Sequence, residues 1–332
     1  MFQRFLSLVE AASNAPALID ASTGIPVTRG ALLDRAFGLA NDLAANGMRE
    51  GDAVAIQLPN SIDFVAAFLA ALKLQLIAVP IDRDAPEHEV AAILGHFAIK
   101  GFVYRGGVSV RAMYERPNVP AGARLIKLTS GSTGQPKGIV TSEANLIADA
   151  TNICSSMGIA ASDLNLGAIP FSHSYGFSNL VTPLILQGTP VVVSNDYLPQ
   201  SLIELANRYR CTVAPLIPMV FEHLAAVAHG AFETVRTFIS AGAPLPASTS
   251  RKFRERFSHD IHSFYGCSEC GGITYDRAGA AVERGTVGAP LDGVELLLDG
   301  ARVAVRSGSV ALGYLFDANT FEAFDDFVTD DL

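Results

Sequence analysis

Apolar residues recur along this chain in two alternating rhythms. Between Gly30 and Gly47 they fall at helical spacing (Leu32, Leu33, Ala36, Leu39, Leu43), and after the Gly51-Asp52 break comes a short apolar run, Ala53–Leu58. The first pattern predicts an amphipathic helix and the second a strand buried on both faces. The alternation continues. Asn60-Ser61 can cap a helix over Ile62–Leu74, LIAVPI reads as a strand, Glu87–Phe97 as a helix and GFVYRG as a short strand. After Gly138 it resumes, with helices over Ser142–Met157, Leu198–Tyr209, Pro218–His229 and Pro246–Phe257 and strands TPVVVS, CTVAPL, TFISAG and IHSFYG. Such a rhythm predicts an α/β protein with two α/β subdomains and mainly parallel sheets. We place them at about 1–185 and 186–274, partly interwoven. Beyond Gly271 the helical period disappears. VELLL-Asp299-Gly300-ARVAV is a hairpin signal, because Asp-Gly supplies the positive φ angles of a type I′ turn. Residues 275–328 are expected to form a small antiparallel β subdomain, completing one core over 1–332.

Composition narrows the class. The chain has 332 residues, 49% hydrophobic and 17% charged, enough apolar material for a large core and incompatible with disorder. The formal net charge is −9, which argues against a nucleic-acid partner that depends on phosphate neutralisation. The stretch most like a membrane span, Phe64–Ile81, is interrupted by Lys73, Gln75 and Pro80, and the N-terminus has Glu10 and no continuous apolar core. Four cysteines in a chain this long do not make a disulfide framework. A reduced, cytoplasmic protein without a membrane span is expected.

Candidate chemistry concentrates in Lys127–Val140, KLTSGSTGQPKGIV. Glycines and hydroxyls gathered between an apolar strand and the helix near Ser142 offer amide and hydroxyl donors without bulk, the cradle a polyphosphate needs. Lys137 adds a cation. A flexible Ser/Gly loop would have no need of that lysine. A P-loop NTPase fails on spacing, because Pro136 replaces the second glycine and Gly138 the magnesium-binding Ser/Thr. A separate constellation, His259, His262, Cys267 and Cys270, has spacing that could hold zinc.

TSGSTGQPKG resembles the phosphate loop of the adenylate-forming enzymes: acyl- and aryl-CoA ligases, luciferases and peptide-synthetase adenylation domains. Other segments agree in order: IPFSHSYGF with the family's P-x-x-H-x-x-G, ISAGAPLP with its Gly-Ala-Pro segment, FYGCSE with Y-G-x-[ST]-E, then GTVGAP, GYL and VTDDL. The resemblance implies the reaction of a carboxylic acid with ATP to give an acyl-adenylate and pyrophosphate, then transfer to the thiol of CoA or of a phosphopantetheine arm on a carrier protein. It places Thr129, Ser130, Gly131, Ser132, Thr133, Gly134 and Lys137 around the β- and γ-phosphates. Gly242, Ala243, Pro244, Tyr265 and Gly266 fall at the adenine and acyl pocket. Ser268 falls at the α-phosphate, Glu269 at Mg2+, Asp331 at the ribose and His173 where the carboxylate enters. Lys137, His173, Ser268 and Glu269 are the expected catalytic set.

Two departures stand out. Asp330 replaces a glycine, and Ala301-Arg302-Val303 stands where a Gly-Glu-Leu type segment is common. The resemblance also implies a C-terminal lid domain with an assisting lysine and a thiol-presenting surface, neither of which lies in these residues. The 332 residues alone are expected to adenylate slowly and to form little thioester. A larger enzyme ending at its hinge and a core-only protein both fit, and so does a core that binds nucleotide or acyl-adenylate without turnover. No carboxylate occurs in Phe171–Tyr175 to meet an α-ammonium, which favours a fatty, aryl or other non-amino acid.

Overall fold

The most apolar stretch becomes helix Ile62–Lys73, and its surroundings organise the rest. In the computed structural model, which describes residues 1–112, 115–130, 136–227, 229–299, 302–324 and 327–329, every residue from Phe64 to Leu72 is buried. A helix apolar on all sides must be enclosed on all sides. One core joins Val54, Ala78 and Leu125 of one sheet to Leu18 and Val191 of another. Phe64 and Phe68 of the helix meet Phe171 and Phe177 edge-on, with centroids 5.7 and 4.8 Å apart. Ser61 caps the helix as expected, its Oγ accepting from Phe64 N at 3.2 Å. Among the described residues no helix is long and apolar enough to cross a membrane. Removing the Phe68 ring leaves a cavity at this junction, so F68A is expected to lose about 3–5 kcal/mol in urea unfolding.

The architecture is α/β, as expected. An eight-stranded sheet runs, edge to edge, through 321–323, 313–315, 136–142, 123–130, 77–80, 53–57, 101–104 and 107–110. Its centre is parallel and its flanks are antiparallel. A nine-stranded sheet runs through 289–290, 271–275, 261–267, 237–240, 213–216, 165–167, 191–193, 16–20 and 26–28, again with a parallel centre. Strand Pro16–Asp20 thus pairs with Val191–Val193, which weaves the N-terminus into the second sheet. A small antiparallel sheet contains Val294–Asp299, Arg302–Ser307 and Phe327–Val328.

One expectation changes. Residues 275–328 do not gather in one β unit. Gly313–Leu315 and Phe321–Ala323 extend the eight-stranded sheet, and Ala289-Pro290 edges the nine-stranded one. The helix expected near Ser142 is present, starting at Glu143 with Ser142 as its cap, and the segment before it, Pro136–Ser142, is a strand. The β-branched run Ile139-Val140-Thr141 suits a strand. Gly138 lets the pair close, since a Cβ there would stand 2.7 Å from Ile126 Cγ2.

Two buried carboxylates tie loops to these sheets. Asp52 accepts from Lys100 Nζ at 2.7 Å, Arg49 N at 2.8 Å and Arg116 Nε at 2.9 Å. Burial pushes its pKa up, but these bonds outweigh burial and hold it below the ordinary value. Asp163 is likewise opposed by burial and held down by Ala160 N, Thr212 and Arg236. A group whose folded pKa is depressed stabilises the fold above its unfolded pKa and loses that contribution as the pH falls through the folded value. Their joint contribution is therefore expected to be full above about pH 4 and to disappear below it. Melting temperature against pH checks this, with D52N and D163N flattening the acid limb.

Candidate active site

The hydroxyl- and glycine-rich loop spans the end of an antiparallel hairpin. Thr129 faces Lys137 and Ser130 faces Pro136, which sets where the loop departs and returns. Gly131, Ser132, Thr133 and Gly134 lie outside the described residues, as does Asp331. The segment that follows, Pro136–Ser142, is a strand and not a helix N-terminus.

Lys137 projects from the returning strand over two aromatic rings. Its Nζ lies 5.2 Å from the Tyr314 ring centre and 5.3 Å from that of Phe316, within cation–π range. Tyr314 sits opposite Ile139 in the adjoining strand, and its hydroxyl donates to Glu269 Oε1 at 2.9 Å. One tyrosine therefore brings the expected phosphate lysine and the expected magnesium ligand into one neighbourhood. Sequence reasoning noted GYL and gave Tyr314 no role; the signal was an aromatic residue inside a recognised landmark.

Ser268 and Glu269 lie in the turn between strands Ile261–Cys267 and Gly271–Tyr275. Gly266 must be a glycine, because a Cβ there would overlap the Gly271 carbonyl across the hairpin. The Glu269 carbonyl accepts from Ala311 N at 2.7 Å, pinning the turn to the loop that follows strand Arg302–Ser307. Ser268 Oγ shares a 2.7 Å hydrogen bond with Ser174 Oγ, and its carbonyl accepts from Lys127 Nζ at 3.4 Å.

Lys127, Ser174, Gly266 and Ser268 line a cavity of about 500 Å³ together with His173, Asn179 and Gly242; Glu269 does not line it. Ala243, Pro244 and Tyr265 adjoin lining residues without lining it. Gly242 turns the chain after strand Thr237–Ser240 with φ at +87°. A neighbouring cavity of about 390 Å³ takes in Thr129 and Pro136, the two ends of the loop. Ser172 and His173 line both cavities. His173 is exposed, its side chain 62% accessible, with Nε2 3.3 Å from Asp82 Oδ2. The P-x-x-H-x-x-G spacing has a steric cause. The chain folds back so tightly that a Cβ on Gly176 would overlap the Pro170 carbonyl.

Buried groups hold the cavity wall. Tyr175 donates to the Ile239 carbonyl at 2.9 Å, and burial pushes its hydroxyl pKa well up, so it stays neutral. Asp149, from helix Glu143–Met157, accepts from Ser178 Oγ at 2.6 Å and Gly272 N at 2.9 Å. Sequence reasoning missed Asp149, which looks like any polar residue in a helix.

The four residues of the zinc constellation do not gather into one metal site. His262 Nδ1 bonds the Asp276 carbonyl at 2.8 Å, and the His259 ring packs on Phe238 at 5.2 Å. Cys270 is buried, and its thiol pKa is pushed up by the hydrogen bond with Cys267 and then by burial. Among the described residues no group of three or more His, Cys, Asp or Glu could hold a metal ion. Glu269 fits a different role. One carboxylate oxygen is oriented by Tyr314, and magnesium takes one or two carboxylates together with substrate phosphates.

A family profile described as AMP-binding enzyme matches residues 7–121 and 113–315. A feruloyl-CoA synthase of Amycolatopsis sp is 27% identical over 297 residues, covering 80% of this chain and 60% of its own length. A 4-hydroxybenzoate–CoA/benzoate–CoA ligase of Rhodopseudomonas palustris is 30% identical over 202 residues, covering 56% of this chain and 38% of its own length. This chain thus spans only part of either relative. In fold it matches the inhibitor-bound N-terminal domain of FACL13 from Mycobacterium tuberculosis with a TM-score of 0.85 at 21% identity, over 100% of this chain and 99% of that one. A long-chain-fatty-acid-CoA ligase (FadD1) from Archaeoglobus fulgidus matches with a TM-score of 0.82 at 20% identity, over 95% and 76%. Since the profile covers most of the chain, including Lys137, Glu269 and the Tyr314 that meets both, the chain belongs to the AMP-binding enzyme family.

Proposed function

We propose that this chain activates a carboxylic acid with ATP, forming an acyl-adenylate and releasing pyrophosphate, in an acid–thiol ligase whose second step transfers the acyl group to CoA or a carrier-protein thiol. The observation that carries this reading is the paired cavity. One compartment holds the ends of the phosphate-type loop, the other holds Ser268 and Lys127, and His173 lines both. ATP and an acid can therefore meet at that wall. The described residues lining the larger compartment include no carboxylate to meet an α-ammonium, which supports a fatty, aryl or other non-amino acid.

In this reading the central difficulty is electrostatic, since a carboxylate must approach an anionic α-phosphorus. Thr129, Ser130, the loop over 131–134 and Lys137 hold the β- and γ-phosphates. Gly242, Ala243, Pro244, Tyr265 and Gly266 flank the adenine and the acyl group, and Asp331 receives the ribose hydroxyls. Glu269 holds magnesium, which supplies charge neutralisation when bound. The Ser268 hydroxyl, released from Ser174, donates to an α-phosphate oxygen. His173 borders the entering carboxylate.

Carboxylate-dependent exchange of labelled pyrophosphate into ATP tests the reading across a panel of fatty, aryl and hydroxylated acids. Exchange with at least one acid is the expected result. Saturable nucleotide binding by calorimetry without exchange would indicate a binding core instead. Neither binding nor exchange would overturn the enzyme reading.

A further inference from the structure

The turn Cys267-Ser268-Glu269-Cys270 carries two cysteines that the proposed reaction does not use. Cys267 ends strand Ile261–Cys267 and pairs across the hairpin with Gly271, and Cys270 is the residue just before strand Gly271–Tyr275. The ends of a tight turn lie within about 7 Å of each other, about the Cα separation that a disulfide spans. The side chains also meet. The Cys270 thiol is hydrogen-bonded to that of Cys267, and Cys267 packs against the cluster formed by Cys270, Ile273 and Val305. Their exposures differ. Cys267 is partly exposed and lines the larger cavity, whereas Cys270 is fully buried. Both are free thiols, as are Cys154 and Cys211, which are buried in two other clusters. A thiol that reaches a cavity, in contact with a buried second thiol, is the arrangement in which an oxidised cysteine finds its resolving partner.

We propose that Cys267 and Cys270 form a site of reversible oxidation by a hydroperoxide, which enters through the larger cavity and closes the Ser268-Glu269 turn with a disulfide. In the first step the Cys267 sulfur attacks one peroxide oxygen. The O–O bond breaks, a sulfenic acid forms, and the other oxygen leaves as an alcohol, or as water when the oxidant is hydrogen peroxide. In the second step the Cys270 sulfur attacks the Cys267 sulfur. The S–S bond forms, and the sulfenic oxygen leaves as water with the Cys270 proton. The two sulfurs give up two electrons, and the peroxide bond takes them. A dithiol restores both thiols by exchange. The consequence follows from what the turn holds. Ser268 Oγ bonds Ser174, the Ser268 carbonyl accepts from Lys127, and the Glu269 carbonyl accepts from Ala311 N. Drawing the sulfurs to about 2 Å across the turn pulls on the two residues between them and on these contacts. The disulfide stands independently of the proposed function; its effect on pyrophosphate exchange rests on that reading.

The test treats the reduced full chain, freed of reductant, with hydrogen peroxide, alkylates it with iodoacetamide under denaturing conditions and digests it with trypsin. The peptide 257–277 contains Cys267 and Cys270 and no other cysteine. It is expected to lose two hydrogens and to take no label, while Cys154 and Cys211 remain labelled thiols. Acid-dependent pyrophosphate exchange is expected to fall by about 10- to 100-fold, the effect of displacing a positioning segment, and to return with dithiothreitol. C270A is expected to keep exchange in its reduced form, to form no disulfide and to leave Cys267 as a sulfenic acid that dimedone traps. Two labelled thiols in peptide 257–277 after peroxide treatment would overturn the site, and this readout needs only the wild-type chain and no activity. A disulfide that leaves exchange unchanged would overturn its control of the turn. Peroxide inactivation of C270A without a dimedone adduct at Cys267 would place the oxidation elsewhere and overturn the pair. If the disulfide forms but the reduced chain exchanges with no acid, the failure lies with the proposed function itself.

Discussion

Replacing Glu269 by glutamine is expected to lower acid-dependent pyrophosphate exchange by about 100- to 1,000-fold, the range seen when one preorganised electrostatic contact to a transition state is removed. The substitution is informative because it changes charge and little else. Glutamine keeps an oxygen that can accept from the Tyr314 hydroxyl, and the turn remains pinned by the bond from Ala311 N to the backbone carbonyl of residue 269. What is lost is the anionic oxygen that magnesium prefers. The magnesium concentration for half-maximal exchange should therefore rise along with the loss of rate. Y314F is the companion variant. It keeps the ring beside Lys137 but frees Glu269 to rotate, so a smaller loss, about tenfold, is expected, with the magnesium dependence shifted in the same direction. If E269Q responds to magnesium as the wild type does, Glu269 does not belong to the site.

The sequence made some of this arrangement legible and concealed the rest for identifiable reasons. Helix Ile62–Lys73 and its Ser61 cap were readable because a capping residue precedes a long apolar run. The parallel centres of both sheets followed from short apolar runs alternating with helices. Strand Pro136–Ser142 was hidden because Pro136-Lys137-Gly138 reads as a break, and only pairing with Ala123–Ser130 gives that segment its extended form. The placement of Gly313–Leu315 was hidden for a related reason. Its neighbour Pro136–Ser142 lies more than 170 residues earlier, and no local pattern encodes such a partner. Ser268, Glu269, Gly242 and His173 were named as candidates because each belongs to a motif. Asp149, Lys127 and Tyr314 were not assigned roles, because their importance comes from what they face across the fold. Lys127 is the clearest case. In the sequence it only precedes a loop signature, whereas in the structure it lines the cavity and its ammonium meets the Ser268 carbonyl.

Gly176 to alanine is expected to damage both stability and activity, through geometry that no side-chain adjustment relieves. The added Cβ would overlap the Pro170 carbonyl oxygen and stand 2.7 Å from the carbonyl carbon, and both are backbone atoms. The alternative, displacing the segment Pro170–His173, breaks further contacts. Phe171 N accepts no substitute for Asn60 Oδ1, to which it donates at 2.7 Å, and Asn60 Nδ2 also holds the Ile169 carbonyl at 2.8 Å. Phe171 itself is buried against Phe64. The loop therefore cannot move without uncoupling the apolar core from the cavity wall. Overpacking of this kind costs about 1–3 kcal/mol, and loss of a buried hydrogen bond to Asn60 adds about 1–3 kcal/mol. Urea unfolding measures the first consequence. The second appears in exchange kinetics, because His173 and Ser174 lie between the clash and Ser268 and a displacement of about 1 Å in a positioning segment can cost about 100-fold. A G176A chain with wild-type stability and wild-type exchange would show that the tight turn is not required, and the P-x-x-H-x-x-G spacing would lose its steric explanation.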